Sequence, residues 1–140
     1  MAHYIDTSAL VKLVVAEPES AALQAWFASG VRSPVSSDLA RTELLRAVRR
    51  AAPEHVVRAR EVLDAVTLIE VTTAIFEVAG LLDPTILRTL DAVHVAAALV
   101  LGDELEGMVT YDARLADAAR ANGIAVIAPA DAARRRPRRS

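Results

Sequence analysis

Apolar positions along this chain follow two rhythms. Short apolar runs bounded by turn residues read as strands, and longer stretches with apolar residues three and four apart read as helices. HYI at 3–5 forms a first strand, and an apolar helix follows over 9–15, with Ser8 placed to cap it. Pro18 breaks that pattern; it resumes over 20–29 with Leu23, Trp26 and Phe27 until Gly30 stops it. Residues 31–36 are extended. A strong helix over 38–52 ends at Pro53, and a second over 54–65 completes a helical hairpin. Residues 67–71 alternate like a strand and 73–82 form a short helix. After Pro84, residues 87–101 make the most apolar helix, ending near Gly102. A strand over 108–110, a helix over 114–122 with Gly123 as its stop, and a strand over 125–127 before Pro129 finish the pattern.

Strands alternating with helices predict an α/β domain: a mostly parallel sheet of four to five strands, covered on both faces. In such sheets the functional site lies outside the carboxyl ends of the strands. One domain over 1–130 is expected, with neither internal repeat nor linker. Hydrophobic content of 54% with only 4% aromatics implies a core of Ala, Val, Leu and Ile. No apolar run reaches the roughly 18 residues that span a bilayer, and MAHYID lacks the order of a signal peptide. With no cysteine, disulfides and thiolate metal sites are excluded. The expectation is a cytoplasmic protein with no membrane association.

Net charge is −2, unevenly placed. Arg134, Arg135, Arg136, Arg138 and Arg139 crowd the end, leaving 11 basic against 18 acidic residues in the body. The segment 131–140 is expected to be a disordered solubilising tail, phosphate contact being the sharper reading. Nothing else resembles the broad basic face of a duplex-DNA binder, so no direct specific DNA binding is expected.

Four acids change the picture. Asp6, Glu43, Asp91 and Asp112 each stand where a strand end or apolar helix meets a turn, in HYIDTSAL, SSDLARTELLRA, LDAVHVAAAL and MVTYDARLADAA. Carboxylates avoid such places unless paired, hydrogen-bonded or bound to a cation. Each has an ordinary reading too. Asp6 and Asp112 are placed to be turn or helix-cap residues, and Glu43 could pair with Arg46 or Arg50 at the surface. Asp91 opens a helix apolar on nearly every side and gains from the positive end of its dipole. His94, one turn on, reads either as a hydrogen-bonded core residue or as the group that orients Asp91. Asp117 reads as solvated surface. Taken together, an all-carboxylate set selects Mg²⁺ or Mn²⁺ over zinc, and such ions drive phosphodiester hydrolysis. There is no nucleophilic cysteine, Ser–His–Asp arrangement or glycine-rich phosphate loop to suggest other chemistry.

The chain resembles the PIN-domain ribonucleases, most closely the VapC-type toxins of type II toxin–antitoxin pairs. The likeness runs from about His3 to Pro129 and rests on IDTSALVKL, SSDLARTELLRAVRR, LDAVHVAAAL and VTYDARLADAARANGI, in that order. It implies a PIN-like three-layer α/β/α sandwich with a protruding helical hairpin. It also implies a Mg²⁺-dependent endoribonuclease (Mn²⁺ substituting), with Asp6, Glu43, Asp91 and Asp112 as metal-binding and catalytic acids. Thr7, Ser8 and Thr110, with His94, would steady those acids or the waters around the metal. Arg41, Arg46 and Arg114 are candidate guides for the RNA. By the same resemblance the partners are RNA, a small VapB-like antitoxin and a second copy of the chain. Leu44, Leu45, Val48, Val56, Val57 and Val62 of the hairpin offer either docking surface or core.

Two alternatives stay open. An aspartyl-phosphate phosphotransfer domain also places an Asp after its first strand, but needs a positioned lysine, and the only one is Lys12. A catalytically inactive PIN-like binding module would keep the fold without needing all four acids.

Overall fold

The computed structural model describes residues 1–131; the tail expected over 131–140 lies, from 132 onward, outside the described residues. Five strands form one sheet in the order β3-β2-β1-β4-β5: β1 Ala2–Ile5, β2 Ser33–Ser37, β3 Thr67–Ile69, β4 Leu105–Val109 and β5 Val126–Ile127. Every pairing is parallel, as expected when the chain returns through a helix after each strand. β1 lies in the middle, with β2 on one side and β4 on the other. The crevice between the carboxyl ends of β1 and β4 is therefore the point where the winding reverses.

Alternation along β1 divides the core. Tyr4 points to one face, packed with Val93, Ala96, Ala97 and Met108 under α5 Thr73–Gly80, α6 Thr89–Leu99 and α7 Ala113–Ala121. Ile5 points to the other, with Leu10, Leu23, Leu44 and Val109 under α1 Thr7–Val14, α2 Ser20–Ala28, α3 Leu39–Ala51 and α4 Val56–Ala65. The three-layer expectation holds, with the sheet wholly parallel.

Several boundaries move for local reasons. α1 begins at Thr7 because Asp6, not Ser8, caps it: the Asp6 carboxylate accepts from the Ala9 amide, and Ser8 sits inside the first turn. Before α4 the backbone takes a 3₁₀ turn over Pro53–His55, with Pro53 at its start. α6 starts two residues later than its apolar pattern, since the Leu87 amide bonds back to the Pro84 carbonyl in a turn before it. It ends in a 3₁₀ turn over Gly102–Glu104, where Gly102 has φ of +54°. β4 starts at Leu105, earlier than its apolar run, because Leu105 pairs with Ala2 of β1.

In the hairpin α3–α4, Leu44, Val48 and Val62 are core and Leu45 and Val56 pack against it. Of the six apolar hairpin residues offered for docking, Val57 alone is largely exposed, at 70%. Hydrophobic spacing could not say which side of the hairpin meets the sheet.

Candidate active site

The first acid is fixed by the strand it ends. Ile5 lies level with Val109 across β1 and β4, and the Asp6 amide bonds to the Val109 carbonyl at 3.1 Å. Asp6 is 4% exposed. One carboxylate oxygen accepts from the Ser8 hydroxyl at 2.7 Å and the Ala9 amide at 3.2 Å, the other from the Thr110 hydroxyl at 3.0 Å. Burial pushes the Asp6 pKa up, against these hydrogen bonds and the influence of His94. Desolvation, not crowding by the other acids, is the cause.

Thr110 ties the second strand end to the first. While donating to Asp6, its oxygen accepts from the Asp112 amide at 3.1 Å. Asp112 caps α7, one oxygen accepting from the Arg114 and Leu115 amides at 2.9 and 3.2 Å. Its other oxygen accepts from Arg88. Asp91 lies in the first turn of α6, buried and 7% exposed.

Arg88 joins Asp91 and Asp112. Its Nε donates to Asp91 at 2.7 Å and an Nη to Asp112 at 3.2 Å. Sequence reasoning missed this residue, although its place three positions before Asp91 in LRTLD was a readable signal for a same-face pair. Both carboxylates strengthen the hold on its proton. Beside it opens a hollow of about 580 Å³, bounded by Ile86, Arg88, Asp91, Arg114 and Asp117. Arg114 thus stands at the rim as expected. Arg41 instead turns to Asp38 at 3.1 Å, and with Arg46 it lines a separate groove.

Glu43 is not a surface partner of Arg46 or Arg50. One oxygen accepts from the Thr7 hydroxyl at 2.9 Å and lies 2.6 Å from His94 Nε2. Burial opposes its ionisation, but the His94 contact and the Thr7 hydrogen bond outweigh burial and lower its pKa. His94 therefore serves Glu43 rather than Asp91: α6 aims Asp91 at Arg88 and His94 at α3. Behind the ring, Nδ1 lies 2.7 Å from the Tyr4 hydroxyl, which donates to Ser37 at 3.0 Å. Nothing in the sequence marked Tyr4 and Ser37 as this buried support.

The four acids thus come from the end of β1, α3, α6 and the β4–α7 turn: Asp6, Asp112 and Asp91 are linked through Thr110 and Arg88, while Glu43 is held by Thr7, the neighbour of Asp6, and by His94. Among the described residues, no three carboxylate or imidazole side chains close on a single point as they stand. The Arg88 guanidinium already occupies the cationic position between Asp91 and Asp112. The donors are all hard carboxylate oxygens, the chemistry that suits a divalent cation of the Mg²⁺ kind. Lys12 does not serve Asp6; its ammonium pairs with Glu19 at 2.8 Å, so the phosphotransfer reading gains no support.

The PIN domain matches residues 3–121. Ribonuclease VapC46 of Mycobacterium tuberculosis is 46% identical over 129 residues, covering 91% of this chain and 98% of that one. Ribonuclease VapC47 from the same species is 40% identical over 130 residues, covering 90% and 96%. The crystal structure of M. tuberculosis VapC20, described as a sarcin-ricin loop cleaving toxin, superposes with a TM-score of 0.71 at 18% identity over 91% of this chain and 99% of that one. The chain belongs to the PIN-domain family and, within it, to the VapC-type ribonucleases of toxin–antitoxin systems.

Proposed function

We propose that this chain is a Mg²⁺-dependent endoribonuclease, with Mn²⁺ as a substitute, acting as the toxin of a toxin–antitoxin pair. What supports the reading is that Thr110 links Asp6 to Asp112 at the β1/β4 crevice, Arg88 links Asp112 to Asp91, and Thr7, next to Asp6, holds Glu43. Its relatives are ribonucleases over nearly their whole length.

The reaction is hydrolysis: a water oxygen bonds to phosphorus, the P–O3′ bond breaks, and a 5′-phosphate and a 3′-hydroxyl remain. Asp6, Asp91, Asp112 and Glu43 would hold the metal, which supplies charge neutralisation and Lewis acidity when bound. Thr110 and Ser8 fix the Asp6 carboxylate, while Thr7 and His94 fix Glu43. Arg88 bridges Asp91 and Asp112, and Arg114 at the rim of the neighbouring hollow would meet a phosphate. The target RNA is not carried over from VapC20, since likeness at 18% identity extends to the fold alone.

The same reading brings a small VapB-like antitoxin, a second copy of the chain and a cytoplasmic setting. Among the described residues no helix is long and apolar enough to cross a membrane. The test is cleavage of RNA by purified chain with Mg²⁺, with chelator, and with Asp6→Asn. Activity is expected only in the first case, with a loss of about 10²-fold or more in the variant. Undiminished cutting by Asp6→Asn, or in chelator, would overturn the assignment.

A further inference from the structure

Six of the eleven basic residues of the body lie on α3 and α4: Arg41, Arg46, Arg49, Arg50, Arg58 and Arg60. Arg41 is paired with Asp38 and Arg58 with Glu61. Arg46, Arg49, Arg50 and Arg60 are exposed, and among the described residues none of them has a carboxylate partner. In a body with excess acid, four unneutralised guanidiniums on one hairpin need an external anion or bulk water to balance them.

Their placement gives the patch a direction. Glu43 and Arg46 are three residues apart on α3, hence on adjacent positions of its surface, and Arg49 and Arg50 are one turn further on. At about 1.5 Å per residue, Arg50 lies about 10 Å along the helix axis from Glu43. Between the helices runs a groove of about 360 Å³, with half-buried Leu45 and Val56 beneath Arg46, Arg49 and Arg60. The second hollow, of about 270 Å³, is lined by Arg46, Arg49 and Arg50.

We infer that the α3–α4 groove is a binding site for the RNA backbone, lying along the same helix that carries Glu43, and that it grips phosphates without reading bases. This rests on the ribonuclease reading above. Guanidiniums present forked donors that match phosphate oxygens. The groove lacks the aromatic platforms on which single-stranded bases stack; its apolar members are aliphatic. Contacts confined to the backbone raise affinity for any sequence, so target choice falls to the acidic end of the path. An acidic protein segment would also complement the charge, but one-turn spacing leading away from Glu43 suits a strand whose scissile phosphate must reach that residue.

The experiment uses the full chain, keeping the tail in every sample so that its charge cancels. Affinity for a long single-stranded RNA is measured against salt by fluorescence anisotropy, in an Asp6→Asn background with Mg²⁺ present. The fourfold variant Arg46→Gln/Arg49→Gln/Arg50→Gln/Arg60→Gln should flatten the log K against log salt slope by about 2 to 3, at roughly 0.7 per lost phosphate contact. With Asp6 restored, the same four changes should raise KM for long RNA by about tenfold or more, with kcat held and the melting temperature unchanged. Arg120→Gln, which removes an exposed arginine paired with Asp117 on α7, is the control and should move the slope by little. An unaltered slope and KM in the fourfold variant overturns the groove, as does an equal loss in Arg120→Gln. So does unchanged RNA binding with loss of a bound acidic peptide, which would assign the surface to a protein. If the restored chain cuts no RNA at all, the ribonuclease reading falls, and the groove is decided by the binding slope alone.

Discussion

Asp6 has every oxygen contact satisfied inside the fold, yet burial still raises its pKa. Its folded pKa lies above its unfolded one, so its stabilising contribution is fully present below the unfolded value and is lost as pH rises through the folded value. At neutral pH the metal-free protein bears a desolvated charge, and Asp6→Asn removes it. That variant should therefore melt a few degrees higher than wild type in chelator while failing to cut RNA, a check made by thermal unfolding beside the cleavage assay. Arg88 acts in the opposite sense. Arg88→Gln leaves Asp91 and Asp112 without their shared counter-ion, so it should lower the melting temperature in chelator. Added Mn²⁺ should then raise that temperature more than in wild type, because no guanidinium competes for the two carboxylates. Equal shifts would remove Arg88 from the site. Asp6, Asp91 and Asp112 stood out in the sequence because each sits at a strand end or in an apolar helix where a charge is costly, whereas Glu43 read equally as a surface partner of Arg46 or Arg50. Arg88 was passed over because an arginine near a helix start breaks no pattern.

Among the elements, the β4–β5 edge depends on one glycine. A Cβ on Gly107 would sit 2.9 Å from Ile127 Cδ1 and 3.0 Å from the Ala125 carbonyl oxygen. That carbonyl accepts from the Met108 amide at 2.8 Å, so it cannot retreat without loosening the pairing. Gly107→Ala should cost about 1–3 kcal/mol, lowering the melting temperature by several degrees. The same edge supports Thr110, whose amide bonds to the Ile127 carbonyl at 3.2 Å, and thus the residue that steadies Asp6. Element types were readable from periodicity almost throughout. Their ends were not, because caps and turns depend on contacts such as Asp6 with the Ala9 amide and Leu87 with Pro84.

Across the whole molecule, the sheet has two differently built ends. At the carboxyl end lie the acids. Near the start of β1, His3 is buried edge-on against Trp26 with ring centroids 4.9 Å apart, and among the described residues its Nδ1 has no hydrogen-bond partner. Burial lowers its pKa from 6.5, and Arg32 and the N-terminal amine add to that effect while Glu106 opposes it. With the folded value below the unfolded one, the stability linked to His3 is present above about pH 6.5 and is lost as pH falls through the folded value. His3→Phe, which keeps the packing and removes the titration, should flatten that part of the decline. The difference between the two proteins' unfolding free energies from about pH 7 to 5 measures it, and parallel curves would dismiss His3 as a contributor.

The order of strands and helices, the lack of thiol chemistry and the four conspicuous acids follow from residue type and spacing alone. Local periodicity and desolvation cost act within a few residues, so they are written in the chain. Which acid meets which partner was decided only when the layers closed. His94 turned to Glu43, Arg88 bridged Asp91 and Asp112, and most of the hairpin's apolar face went into the core. Those pairings join residues distant in sequence, across the β1/β4 crevice and between α3 and α6, and no spacing along the polypeptide encodes them.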